Sequence, residues 1–223
     1  FIMHNSLDNL IEIQKEIQLI ITQSSNPIKF PKIIAVSKTH QMKDILPLIN
    51  YGHLDYGENK VQEALEKWSS IKSDFKHLNL HMIGKLQSNK VKQAVSIFDY
   101  IHSLDNLKLA EKISSEQVKQ NKRVKLFIQI NIGEEAQKSG VLISNLNNFY
   151  TNCTRDLGLN IIGFMCLPPN NETVSSYFLK MKNLIVNSDL TELSMGMSSD
   201  YLEALKFETS FLRIGSKIFG QRN

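Results

Sequence analysis

The chain has 223 residues, 42% hydrophobic and 22% charged, with a formal net charge of +4, the balance of a soluble globular protein long enough for a full core. Every apolar run is much shorter than a membrane span and no basic-then-apolar leader opens the chain, so a cytosolic protein with no membrane partner is expected. The lysine runs (Lys85, Lys90 and Lys92; Lys119, Lys122, Arg123 and Lys125) lack interleaved aromatics and read as solvated helix faces, so no nucleic-acid partner is expected.

Phe1 and Ile2 read as an extension, with the natural start either at Met3 or lost. Leu10, Ile13, Ile17 and Ile20 recur at helical spacing, which predicts a helix over residues 6–22 capped by Asn5 or Ser6. After Pro27 and Pro31 the run Ile33-Ile34-Ala35-Val36 predicts a strand covered on both faces. A helix over 42–51, interrupted by Pro47, closes at Gly52. A strand over 54–56 runs into Gly57-Glu58-Asn59, and a helix follows over 61–71. Strand 78–83 stops at Gly84 before a helix over 88–98. Strand 100–104 precedes a helix that Asp105 caps and that ends near Gln120. Strand 124–130 ends at Asn131, a helix covers 142–156, and Pro168-Pro169 stop a strand over 161–167. The remaining units are helix 173–186, strand 192–195, helix 200–206, strand 211–214 and a short helix over 216–219.

Eight strands each followed by a helix, with one helix in front, imply parallel pairing with right-handed crossovers. The expected fold is α/β: a single (β/α)8 TIM barrel with an extra N-terminal helix, one domain over residues 1–223. An open doubly wound sheet would usually carry a glycine-rich turn after its first strand, where this chain has Ser37-Lys38-Thr39.

The carboxyl ends of barrel strands form the active end of such a fold. The residues expected there are Lys38, Asn59, Gly84, Ser103, Asn131, Met165, Ser198 and Arg213. Barrel closure makes the first and last units neighbours, so Lys38 and Arg213 can share a pocket. A lysine partly withdrawn from water can condense with an aldehyde as a Schiff base. Residues 194–199 read as a small flexible turn, and Arg213-Ile214-Gly215-Ser216 ends a strand and starts a helix, the usual phosphate position of the fold. A lysine for an aldehyde, a cradle for phosphate and a cation beside a ring together describe pyridoxal 5′-phosphate (PLP). Metal is not expected: His77 and His81 lie on a strand with no third ligand, and Cys153 and Cys166 read as reduced thiols without CxxC spacing. Gly84-Lys85 lacks the glycine spacing of a P-loop.

Five segments carry a resemblance: Ile34-Ala35-Val36-Ser37-Lys38, Tyr56-Gly57-Glu58-Asn59-Lys60-Val61-Gln62-Glu63, His81-Met82-Ile83-Gly84-Lys85-Leu86-Gln87-Ser88-Asn89-Lys90, Leu193-Ser194-Met195-Gly196-Met197-Ser198 and Leu212-Arg213-Ile214-Gly215-Ser216-Lys217-Ile218-Phe219-Gly220. In this order, across essentially the whole chain, they resemble the pyridoxal phosphate homeostasis protein family. The resemblance implies a barrel similar to the amino-terminal domain of alanine racemase, with PLP held on Lys38. It further implies that Ser198, Gly215 and Ser216 hold the phosphate, that Arg213 faces the pyridine nitrogen, and that Asn59, His81 and Met165 line the pocket. There are two departures: Ser216 stands where threonine is common, and Glu208 stands where glycine is frequent.

Two functions fit these residues, a PLP-dependent amino-acid racemase and a carrier that stores and delivers PLP. Two-base racemisation needs an acid/base on each face of the substrate. The resemblance places the second group of true racemases in a further domain and a partner subunit, which a chain stopping at Asn223 is expected to lack. Arg213 stays charged and would leave the pyridine nitrogen unprotonated, a poorer electron sink. The expectation is therefore a monomeric carrier with no catalytic residue, whose partners are PLP and recipient apo-enzymes.

Overall fold

The computed structural model describes residues 5–25, 27–169 and 174–221; Met3 and the expected helix start at Thr173 lie outside them. Eight strands form one closed parallel sheet in chain order: β1 Lys32–Val36, β2 Asp55–Glu58, β3 Asn79–Met82, β4 Tyr100–Leu104, β5 Lys125–Ile130, β6 Ile161–Cys166, β7 Glu192–Met197 and β8 Phe211–Ile214. The sheet closes where Ile34 of β1 pairs with Arg213 of β8 and Ala35 with Ile214. The expected (β/α)8 barrel with a leading helix is thus the observed fold.

Each strand feeds a helix because its apolar stripe must be covered. These helices are α2 Met42–Tyr51, α3 Val61–Asp74, α4 Val91–Ile97, α5 Leu107–Gln120, α6 Leu146–Thr151, α7 Val174–Val186, α8 Tyr201–Leu205 and α9 Ser216–Phe219. The leading helix, α1 Ser6–Gln23, starts on Asn5, whose side chain accepts the Leu7 N–H. It buries Leu10, Ile13 and Ile17 and packs on α2, α8 and α9 beside the β1–β8 seam. Most of the core lies between sheet and helices. A second cluster of Ile34, Tyr100, Phe127, Met165 and Phe211 fills the barrel interior.

Several local expectations are corrected. Pro47 sits inside α2 without interrupting it, because burial of Ile45, Leu48 and Ile49 outweighs the one hydrogen bond a proline removes. Asn106, not Asp105, caps α5 by accepting the Leu109 N–H, while Asp105 accepts from the Asn106 amide. The expected helix over 142–156 splits into a 3-10 turn, α6 and a π turn over Asn152–Asp156; its asparagines are weak helix formers. The turn expected over 194–199 is largely strand, since β7 runs to Met197. Its register against β8 shifts between Ser194 and Met197, and Gly196 absorbs the shift at φ 93°. A Cβ there would lie 2.7 Å from both Ala204 and Leu212 side-chain atoms.

Glu208 is the departure with a backbone consequence. It ends α8's turn at φ 57°, a left-handed conformation that costs an L-residue roughly 1–2 kcal/mol. Glu208→Gly is therefore expected to raise stability by up to ~1 kcal/mol, the relief of this strain less the entropy of a freer unfolded chain. Thermal or urea melts of the two proteins measure it, and a loss of stability would place the Lys182–Glu208 ion pair above the backbone term.

Candidate functional site at the carboxyl end of the barrel

A cavity of about 680 Å³ opens at the carboxyl ends of the strands. Lys38, Asn59, Ser198, Arg213, Gly215 and Ser216 all line it, with His40 and Lys217. Six of the eight residues expected at the site are therefore brought together. His81 and Met165 do not line it: both are fully buried in the barrel interior, one layer below. Of the other strand-end residues, Gly84 backs the site, since a Cβ there would meet the Asn59 carbonyl oxygen at 2.4 Å. Ser103 and Asn131 lie outside the lining, and Asn131 instead ties down its own loop through the Glu135 backbone.

The turn that carries Lys38 is clamped from below. Glu58, buried at the end of β2, accepts from the Ser37 hydroxyl at 2.8 Å and the Trp68 indole at 2.9 Å. Lys67 donates to Glu58 at 2.9 Å, to Glu63 at 3.0 Å and to the Ser37 carbonyl at 2.8 Å. Glu63 also accepts the Thr39 N–H. Burial raises the Glu58 pKa despite the Lys67 charge, and its Oε2 has no partner among the described residues. Thr39 stands at φ 67°, unusual for a β-branched residue, so the clamp holds a strained turn directly after the lysine. The clamp was missed in the sequence, although Glu63 and Lys67 stand at the i,i+4 spacing of a helical ion pair.

The opposite wall presents donors. The Gly215 and Lys217 N–H groups both donate to the Ser198 hydroxyl oxygen, at 3.2 and 3.3 Å. An oxygen that already accepts twice leaves its own proton to donate, and the Ser216 hydroxyl lines the same wall. Gly215 permits a close approach to β1: a Cβ there would lie 3.3 Å from the Val36 Cβ. Two hydroxyls, one of them held by backbone N–H groups with its proton turned outward, and a lysine make a donor set that fits a phosphate monoester with an aldehyde.

Arg213 forms the floor and is only 4% exposed. It donates to the Ser194 hydroxyl at 2.6 Å and to the Cys166 carbonyl at 2.7 Å. From Ser194 a buried chain descends through the barrel. His102 Nδ1 lies 2.9 Å from Ser194 Oγ, His102 Nε2 lies 3.0 Å from His81 Nδ1, and His81 Nε2 lies 3.0 Å from Asp55 Oδ1. Arg213 can only donate and the Asp55 carboxylate can only accept. With both imidazoles neutral, one proton order satisfies every link: Arg213 to Ser194, Ser194 to His102, His102 to His81, His81 to Asp55. Burial lowers the His81 pKa against the pull of Asp55, and it pulls His102 far down, helped by the Arg213 charge. Burial works to raise the Asp55 pKa, but the His81 hydrogen bond and the Lys32 charge bring it below its usual value. Sequence reading found His81 but not its role, and missed Asp55, His102 and Ser194, because nothing local marks which strand residues meet across a barrel interior.

A closed barrel with a lysine after its first strand and a donor-rich loop after its last matches the family model for the alanine racemase N-terminal domain over residues 9–223, and the chain belongs to that family. Within it, the chain is a member of the pyridoxal phosphate homeostasis protein family. It is 32% identical over 225 residues to the pyridoxal phosphate homeostasis protein of Pasteurella multocida, covering 96% of this chain and 97% of that one. To that of Aquifex aeolicus it is 34% identical over 227 residues, covering 98% and 99%. Among solved structures it superposes on PipY of Synechococcus elongatus without PLP at a TM-score of 0.85, with 29% identity, covering 96% of this chain and 99% of that one. PipY with PLP bound gives 0.76 at 30% identity, covering 93% and 100%. Alanine racemase of Clostridium difficile shares the fold at a TM-score of 0.73 and 12% identity, with 99% of this chain matching 57% of that one.

The buried histidines set a pH dependence of stability. His53, His81 and His102 are each held below the ordinary histidine value chiefly by burial. Their stabilising contribution is complete above the unfolded value near ~6.5 and is lost as pH falls below it, because the unfolded chain takes up protons the folded one refuses. Each group contributes a slope of up to about 1.4 kcal/mol per pH unit. Denaturant melts between pH 7.5 and 5 should show this decline, and His102→Gln should flatten it.

Proposed function

We propose that this chain is a cytoplasmic PLP-binding protein that stores the cofactor and delivers it to apo-enzymes, holding it on Lys38 as a Schiff base without substantial turnover. The barrel acts as one monomeric domain over residues 1–223. The observation that carries this reading is the convergence of Lys38, Ser198, Arg213, Gly215 and Ser216 on one cavity. When bound, PLP supplies an electrophilic aldehyde and an electron-withdrawing ring. The Lys38 amine secures the aldehyde, while the loop of Ser198, Gly215 and Ser216 holds the phosphate, the two serines through their hydroxyls. Asn59 lines the same cavity and would contact the bound cofactor. Kinship with proteins named for PLP homeostasis, and with PipY, whose structure is known with PLP bound, supports the reading.

What the residues supply supports the reading without turnover. Arg213 offers the ring nitrogen a hydrogen-bond donor that does not surrender its proton, which keeps the ring a weak electron sink. Among the described lining residues, the groups of ordinary acid–base type are Lys38, His40 and Lys217, and Lys217 donates to Glu16 and to the Tyr201 hydroxyl. Lys38 and His40 sit on the β1–α2 turn, and His40 stacks on Phe219 at 4.8 Å. The cavity is open to water, which weakens electrostatic stabilisation of any developing charge.

The purified protein loaded with PLP should show a visible absorbance band that borohydride removes, with mass spectrometry placing the reduced pyridoxyl group on Lys38. Lys38→Ala should lose the band and keep the fold; a label on Lys217 would overturn the assignment. Ser198→Ala and Ser216→Ala should each weaken PLP by roughly 1.5–3 kcal/mol, the worth of a hydrogen bond to a charged group, and spare pyridoxal. Incubation of the loaded protein with L-alanine, L-serine and L-lysine in D₂O should give neither Cα exchange nor inversion, while an apo-enzyme regains activity. Lys38-dependent turnover near ~1 s⁻¹, the low end of ordinary enzymes, would establish the racemase reading instead.

A further inference from the structure

The barrel has a second cavity of about 830 Å³ at its other mouth, where the strands begin. Lys32 opens β1 and Lys125 opens β5, and both side chains reach the hydroxyl of Tyr100 at the start of β4. Lys125 Nζ donates to it at 3.1 Å and Lys32 Nζ at 3.5 Å. The same ammonium groups stand 5.0 and 5.7 Å from the centre of the Tyr100 ring, and Lys32 stands 5.4 Å from that of Phe211. Two exposed cations thus converge on one buried oxygen, with no carboxylate within 4 Å of either among the described residues.

Tyr100 is 3% exposed, and its recorded hydrogen bonds have the hydroxyl accepting, which leaves its proton available to a ligand. Three donors of this kind, two of them charged, suit a compact dianion. Phe30, 41% exposed on the cavity lining, supplies a free ring face for a flat apolar body. Asp189, Glu192 and Glu208 line the same cavity and make it hostile to an extended polyanion such as nucleic acid.

We propose that this mouth is a binding site for a small aryl phosphate monoester, with its phosphate between Lys32, Lys125 and the Tyr100 hydroxyl and its ring against Phe30. The site is separate from the Lys38 cavity, and none of its residues lines that cavity.

Calorimetric titration of the full chain, its Lys38 cavity first filled with PLP and fixed by borohydride, with phenyl phosphate, inorganic phosphate and phenol tests this. Ser216→Ala is the control for anion binding at the upper cavity, and circular dichroism checks the fold of every variant. Phenyl phosphate should bind one-to-one and more tightly than inorganic phosphate, and phenol should not bind. Affinity should fall at least ~10-fold in Lys32→Ala and in Lys125→Ala, consistent with loss of a charge-assisted hydrogen bond. Tyr100→Phe, which keeps the ring and removes the hydroxyl, should weaken binding as well, and Ser216→Ala should not. Absence of binding, equal affinity for inorganic phosphate, or a loss that follows Ser216→Ala and spares the lysine variants would each overturn the proposal.

Discussion

The pairing of β1 with β8 is the constraint on which the rest of the structure depends. It sets Ile34 beside Arg213 and Ala35 beside Ile214. Residues from the two halves of the chain thereby reach one cavity, with Lys38 one turn beyond β1 and the Gly215 loop directly after β8. Helix α1 reinforces the seam: Ser6 donates to the Asp44 carbonyl, and Asn9 donates to that of Ile218. A shift of one residue in this register would turn every side chain of β8 to the other face and remove Arg213 from the floor.

Arg213 shows how such a floor is tolerated. A guanidinium buried without partners would be severely destabilising. Here one donor goes to a backbone carbonyl and another to Ser194, which opens a chain of polar groups down to the Asp55 carboxylate. The charge at the top is balanced by an opposite charge at the bottom, with neutral groups of fixed tautomer between them. This arrangement holds Arg213 on the cavity floor with no ion-paired carboxylate among the described residues.

The two mouths of the barrel are chemically unlike although both are rich in donors. At the carboxyl end the donors are hydroxyls, backbone N–H groups and one lysine on turns. At the amino end they are long lysine side chains over aromatic rings. The Tyr100 ring joins the two regions, since it stacks on His81 at 4.3 Å and 14°.

The linear order of residues was enough for the alternation of strands and helices. Stripes such as Leu10, Ile13 and Ile17 have the helical period, and the run Ile33–Val36 is marked as a strand by its shortness, its β-branched residues and Pro31 before it. Six of the eight expected site residues were legible for the same reason, since they directly follow or end a strand whose position in the barrel is set by its order. The rest depended on tertiary structure. His81, His102, Asp55 and Ser194 meet because the register places four strands' inward residues at matching depth, and depth along a barrel axis has no local signature. Met165 could not be told from a pocket residue because a strand buried on both faces shows no contrast between its two sides. The length of β7 likewise turned on a glycine-centred bulge, where a lone Gly196 between methionines reads as a turn until the neighbouring strand supplies its hydrogen bonds.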